Sequence, residues 1–262
     1  MIDIQKARLV FKEFINKYDN QEDFGFNLKV VHTCFVSKNA KELATKLNLS
    51  EEDVALAELI GLLHDIGRFE EIKVMNGFNS IKFNHATYAS KMLFEDNLIR
   101  CFIDENKYDY IIKNAIENHN KLNIDNNLED KSLLHVRIIR DADKLDKYRV
   151  KKDEKIEEIF AGRVTSKEEL EESKISNKVY ETVLSKKCVD IHDRLYPLDY
   201  WICVLAFTFD LYFKETLQIV KDNNYINILI DRFDYKDIDS KNKMEEIRKV
   251  LNNHIESKLI EK

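Results

Sequence analysis

The run from Val54 to Leu63 is apolar at helical spacing and ends on His64-Asp65, so an imidazole and a carboxylate leave a buried surface side by side. Burying an ionised Asp costs on the order of several kcal/mol unless a partner neutralises it, and a divalent cation is the most effective partner. An isolated His-Asp dipeptide is more often a hydrogen-bonded couple. Its meaning therefore depends on what the rest of the chain brings to it.

The chain has 262 residues, enough for a substantial core, yet only five Gly and one Pro against 34% charged residues. So few breakers favour helices joined by short polar connections over a sheet-rich fold. At this length the chain could form one large domain or two small ones. A net charge of −6 argues against general nucleic-acid binding, which needs a basic surface, but leaves room for a local basic patch and a small phosphorylated substrate. Cys34, Cys101, Cys188 and Cys203 are scattered with no C-x-x-C pair, as expected of reduced thiols in a cytoplasmic protein. The first residues lack a basic segment followed by a long apolar one, so no signal peptide is expected. The most apolar run, Trp201 to Phe209, stops at Asp210 and is too short to span a bilayer, so no membrane partner is expected.

In chain order, residues 4–18 read as an amphipathic helix and Asn20 to Gly25 as a polar break. A second helix over about Leu28 to Leu47 places His32 on the side of Leu28, Val31, Phe35 and Val36. Ser50 looks like the cap of the next helix, with Glu51, Glu52 and Asp53 suited to its positive end, and Gly67 is expected to terminate it. The irregular stretch Phe69 to Phe83 reads as a loop over the site. Asn84 is expected to cap a helix carrying His85 with Tyr88, Ala89 and Met92, and a helix from Tyr108 to Lys121 places His119 with Ile112, Ala115 and Ile116. From Ser132 a further helix carries Arg140-Asp141-Ala142-Asp143-Lys144-Leu145-Asp146. At 100° per residue Asp143 falls between Ile139 and Val136, whereas Asp141 lies towards Arg137, so Asp143 is the better inward carboxylate. Lys151 to Lys178 reads as a solvated helix and mobile connection, the sharper alternative being a flap. Pro197 suits the start of a buried helix through Phe213, and Met244 to Ile260 reads as an amphipathic terminal helix.

Five helices thus offer His32, His64 with Asp65, His85, His119 and Asp143 to one interior. Imidazole and carboxylate donors suit one or two divalent ions (manganese, iron, nickel, cobalt, zinc or magnesium), and the lack of thiolates argues against structural zinc. The order H…HD…D, met at His32, His64-Asp65 and Asp143, resembles the HD-domain superfamily of metal-dependent phosphohydrolases. The flanking words His64-Asp65-Ile66-Gly67-Arg68 and Arg140-Asp141-Ala142-Asp143-Lys144-Leu145 strengthen the likeness. The resemblance implies a single all-α domain, an HD-domain helical bundle with its core over about 28–149 and additional C-terminal helices over about 150–262, and one metal on His32, His64, Asp65 and Asp143. In two-metal subclasses extra histidines follow the HD pair; His85 and His119 match that arrangement, with Asp65 bridging. Where the HD-GYP subclass carries Gly-Tyr-Pro this chain reads Asn120-Lys121-Leu122, which argues against cyclic di-GMP as substrate.

Two cations about 3.5–4 Å apart acidify a shared water and stabilise both the attacking and leaving oxygens of a phosphoryl group. Hydrolysis of a phosphate ester or anhydride, of a nucleotide by preference, is therefore the expected activity, with His64 and Asp65 at its centre. Arg68, one turn beyond His64, is placed to hold a phosphate oxygen, as the resemblance also implies. Lys144 could do the same at the mouth of the site or form a surface ion pair with Asp141 or Asp146. The competing readings are a di-iron oxygenase on the same ligands and a nucleotide sensor without turnover; a homo-oligomer is left open. His192-Asp193 serves as a control, a second His-Asp pair without Gly nearby and expected at a partly exposed helix position. His135 and His254 also have apolar neighbours, so an inward histidine alone proves nothing.

Overall fold

The computed structural model describes residues 2–18, 24–75, 82–160, 164 and 166–261. Among them every regular element is helical and no strand forms, so the fold is all-α as expected. The chain divides into two compact units, residues 1–146 and 147–262.

The first unit is built around α3 (Glu51–Leu63). Ser50 caps it by accepting from the Asp53 amide, and Glu51, Glu52 and Asp53 fill its acidic first turn. Every residue from Leu56 to Gly67 is buried, the mark of a helix enclosed on all sides. α1 (Ile4–Ile15) and α2 (Phe24–Lys46) flank it. α2 buries Phe26, His32, Thr33, Val36, Ser37, Ala40, Leu43 and Ala44, whereas Val31 and Phe35, expected beside His32, are exposed at 43% and 37%. Close approach explains the difference. A Cβ on Gly61 of α3 would stand 2.6 Å from the Cα of Ser37, so only small α2 residues fit this contact.

The chain breaks at His64-Asp65 and resumes as α4 (Ile66–Met75). Gly67 therefore does not end the helix of His64; it lies in the next one. Its role is contact, since a Cβ there would meet the His85 carbonyl oxygen at 2.3 Å, and its absence lets α4 lie against α5 (His85–Ser90). The loop expected from Phe69 to Phe83 is likewise helical as far as Met75; residues 76–81 lie outside the described residues. Helical spacing was obscured because Glu71, a charged residue, is fully buried between Phe69 and Ile72 through its pairing with Arg68. Phe11, Phe14 and Phe26 pack edge-on against Phe69, tying α1 and α2 to α4.

Asn84 caps α5 as expected, accepting from the Ala86 and Thr87 amides, and a π-helical turn over Lys91–Glu95 follows. α6 (Ile99–Phe102) leads to α7 (Asp109–Asn118), whose Ile112, Ala115 and Ile116 are buried. The long α8 (Asp130–Asp153) carries the Arg140 to Asp146 run.

The second unit contains α9 (Ile156–Ile159), α10 (Lys167–Glu171), α11 (Asn177–Leu184), α12 (Pro197–Leu205), α13 (Lys214–Asp222), α14 (Tyr225–Ile230) and α15 (Ile238–Ile260). Pro197 opens α12 at the position where a missing amide is harmless. Trp201 is the hub: its indole donates to the Leu229 carbonyl at 3.1 Å, and its ring meets Phe160 and Phe233. The described part of 151–178 is not the solvated stretch expected, because Ile156, Phe160, Val164 and Leu170 are buried. Lys151 stands 4.0 Å from the Phe160 ring centre, so its charge lies over aromatic surface. Residues 161–163 and 165 of it lie outside the described residues.

Candidate metal centre

The first unit gathers the predicted ligands into two adjoining groups. His32, His64 and Asp143 offer donor atoms within 4.8 Å of one another, and so do Asp65, His85 and His119; all six residues are buried. In the first group His32 Nε2 lies 3.2 Å and His64 Nε2 3.9 Å from Asp143 Oδ1. In the second, Asp65 Oδ1 lies 3.2 Å from His85 Nε2 and 3.6 Å from His119 Nε2. Asp65 faces both groups: its other oxygen, Oδ2, is 3.6 Å from His32 Nε2 and 3.5 Å from His64 Nε2.

Three of the four rings are held from behind. His64 Nδ1–H donates to the Gly61 carbonyl at 2.8 Å and His119 Nδ1–H to that of Ile116 at 2.6 Å, each three residues back. His32 Nδ1–H donates to Asp146 Oδ2 at 2.7 Å. A second-sphere acceptor of this kind fixes the tautomer and turns the Nε2 lone pair towards the site. Burial favours the neutral form, pushing the His64 pKa down to about 3 against the pull of Asp65 and Asp143. His85 is lowered in the same way, by burial and then by the Arg68 charge. Burial would raise the Asp65 carboxyl, but Lys29 and the surrounding imidazoles outweigh it and hold the group well below the usual carboxylate range. His64 and His85 are thus neutral and the Asp65 carboxylate ionised near pH 7, the protonation state in which these groups bind cations.

A divalent ion fits these residues. His32 Nε2 and His64 Nε2 are buried and make no hydrogen bond among the described residues, although buried ring nitrogens ordinarily find one. Four imidazoles and two carboxylates form a borderline donor set suited to first-row divalent ions.

Arg68, 14% exposed, places Nε 3.6 Å from Asp65 Oδ1 and donates from Nη1 to Glu71 Oε2 at 2.5 Å. Lys144 does not occupy the exposed mouth or surface expected of it: it is buried at 5%, with its ammonium 3.4 Å from the Arg140 carbonyl one turn back. It belongs to neither donor group, and nor does the buried Asp141. His192 is exposed in a short 3-10 turn, Ile191–Asp193, of the second unit, and His135 is buried with Nε2 3.2 Å from Asp53 Oδ1.

Three neighbours of the site were not anticipated. The Lys29 ammonium lies 2.6 Å from Asp65 Oδ2, and its pKa is lowered by burial despite that carboxylate. Its signal was position, one turn before His32 on the same helix. Asp146, one turn after Asp143, supports His32 and was legible by the same spacing. Asn120, next to His119, brings its amide nitrogen to 3.5 Å from His85 Nε2; adjacency was its only signal.

Residues 30–148 match the family model of the HD domain. No curated protein and no solved structure matches the chain at a significant level. The matched segment begins just before His32 and ends just after Asp146, and so encloses both donor groups. Over that segment, a little under half of its length, the chain is similar to the HD domain, a family whose members are largely metal-dependent hydrolases.

Proposed function

We propose that this protein is a two-metal phosphohydrolase that cleaves a phosphate ester or anhydride, with a nucleotide as the preferred substrate class. The observation that carries the proposal is the division of Asp65, one carboxylate oxygen facing the first donor group and the other facing the second. His32, His64 and Asp143 would hold one ion and His85 and His119 the other, with Asp65 between them. Bound there, two divalent ions supply an acidified water and charge neutralisation for a phosphoryl group.

The chain's own residues prepare that chemistry. The Nδ1–H bonds of His32, His64 and His119 keep the rings oriented, so no reorganisation is needed when substrate arrives. Lys29 and Arg68 place two positive charges beside Asp65, suited to a phosphate dianion, and Glu71 holds the Arg68 guanidinium in place. Burial of Asp65 at 3% exposure keeps bulk water from screening these charges.

The test is anaerobic incubation of manganese-loaded protein with a panel of nucleotides and phosphodiesters. Release of phosphate or of a nucleoside phosphate by wild type, and its loss in His64→Ala, is the expected result. Iron in the protein as purified together with oxygen consumption would replace hydrolysis by oxygenation. Nucleotide binding without product would make the protein a sensor.

A further inference from the structure

Arg140 sits one turn before Asp143 on α8 and is buried, with 2% of its surface exposed. A guanidinium carries five N–H donors, and burying them demands acceptors. Nη1 donates to the backbone carbonyls of Asn118 and Lys121, both at 2.7 Å, and lies 3.5 Å from that of His119; Nη2 reaches the Leu122 carbonyl at 3.5 Å. These carbonyls line the chain reversal that follows α7, where a helix end leaves acceptors unsatisfied and favours a cation. Asn118 closes the same reversal: its amide donates to the Asn114 carbonyl at 3.0 Å, and its side-chain oxygen accepts from the Asp125 amide at 3.0 Å.

The reversal carries His119. The other histidine donors lie within helices or at the break beside α3, but His119 stands just past the last residue of α7, at the start of the reversal whose carbonyls Arg140 holds. Its Nε2 must nonetheless stay close to His85 Nε2, 3.1 Å away, and to Asp65. We infer that Arg140 is a positioning residue for the second ion: it clamps the turn holding His119 to the helix holding Asp143 and so sets the affinity of the second site. The inference rests on the two-metal reading above. Lysine is a partial replacement: its ammonium could serve the carbonyls that Nη1 holds, but it lacks the second nitrogen that faces Leu122 and the planar fork that fixes the geometry.

The experiment is titration of metal-free protein with Mn(II) alone, read by equilibrium stoichiometry and by electron paramagnetic resonance. Wild type is expected to bind two ions whose proximity gives an exchange-coupled spectrum. Arg140→Met should keep the first ion and weaken the second by about 10–100-fold, the usual effect of losing an outer-sphere support. Its spectrum should become that of isolated Mn(II), and Arg140→Lys should fall between. Unchanged affinity for both ions in Arg140→Met overturns the inference, and so does equal weakening of both, which marks a general structural role. If circular dichroism shows Arg140→Met unfolded, Arg140→Lys decides by the same two criteria. A wild type that takes up a single ion removes the two-metal reading and this inference with it, an outcome distinct from two ions in wild type and variant alike.

Discussion

The chain contains the same dipeptide twice, and the two copies live under different physics. His64-Asp65 closes an enclosed helix, is almost fully buried, and stands within 4 Å of His32, His85, His119 and Asp143. His192-Asp193 forms part of a short surface turn whose Asp190 cap satisfies the His192 amide at 2.9 Å. The first pair lies where desolvation makes each ionisable group depend on its neighbours; at the second, water serves as partner. The difference arises from Gly61 and Gly67, which let α2 and α5 approach closely enough to bring His32 and His85 to the first pair.

The contrast can be broken at graded points. Asp65→Ala should have the largest effect, loss of both ions and at least about a thousandfold loss of hydrolysis, because one carboxylate serves both donor groups; metal content after dialysis checks it. Retention of both ions would end the bridging role. Asp146→Asn should weaken metal binding by about 10–100-fold without removing a ligand, since the His32 ring loses its charged acceptor. Direct metal titration reads this.

Acid should sharpen the contrast further. The folded-state pKa of His64 is depressed to about 3 from an ordinary 6.5, so the unfolded chain binds the extra proton between those values. The metal-free protein should therefore lose stability as pH falls through that window, with a slope of about 1.4 kcal/mol per pH unit for each such imidazole. Denaturant melts at stepped pH measure it, and a flat profile would contradict the buried neutral state.

Gly67→Ala should destabilise the fold by about 1–3 kcal/mol, because the added methyl meets the His85 carbonyl rather than a flexible side chain. An unchanged thermal midpoint would mean that α4 and α5 can separate at little cost. His192→Ala should do least, a stability change within about 0.5 kcal/mol and no change in metal content, as for other surface substitutions. Damage comparable to His64→Ala would erase the distinction between the two dipeptides.

Much of the fold was legible because helices announce themselves locally. Ser50, Asn84 and Pro197 mark starts through their own hydrogen bonding or its absence, and they do so in the structure. Spacing also placed His85, His119 and Asp143 on buried faces. It failed where a charged residue is buried by a partner, as Glu71 is by Arg68, since hydropathy assigns such a residue to solvent. It failed again at Val31 and Phe35, because the contact between α2 and α3 selects for smallness over apolarity.

The sequence by itself determined the helical class, the types of candidate donor and their order, because capping, periodicity and donor chemistry are properties of short segments. Only tertiary structure decided that the donors form two groups sharing Asp65 and that Lys29, Asp146 and Arg140 stand around them. It also decided that Lys144 is buried. Those outcomes depend on how closely helices distant in sequence can pack, a quantity set by the volumes of facing side chains and the absence of a Cβ at two glycines, which no local pattern encodes.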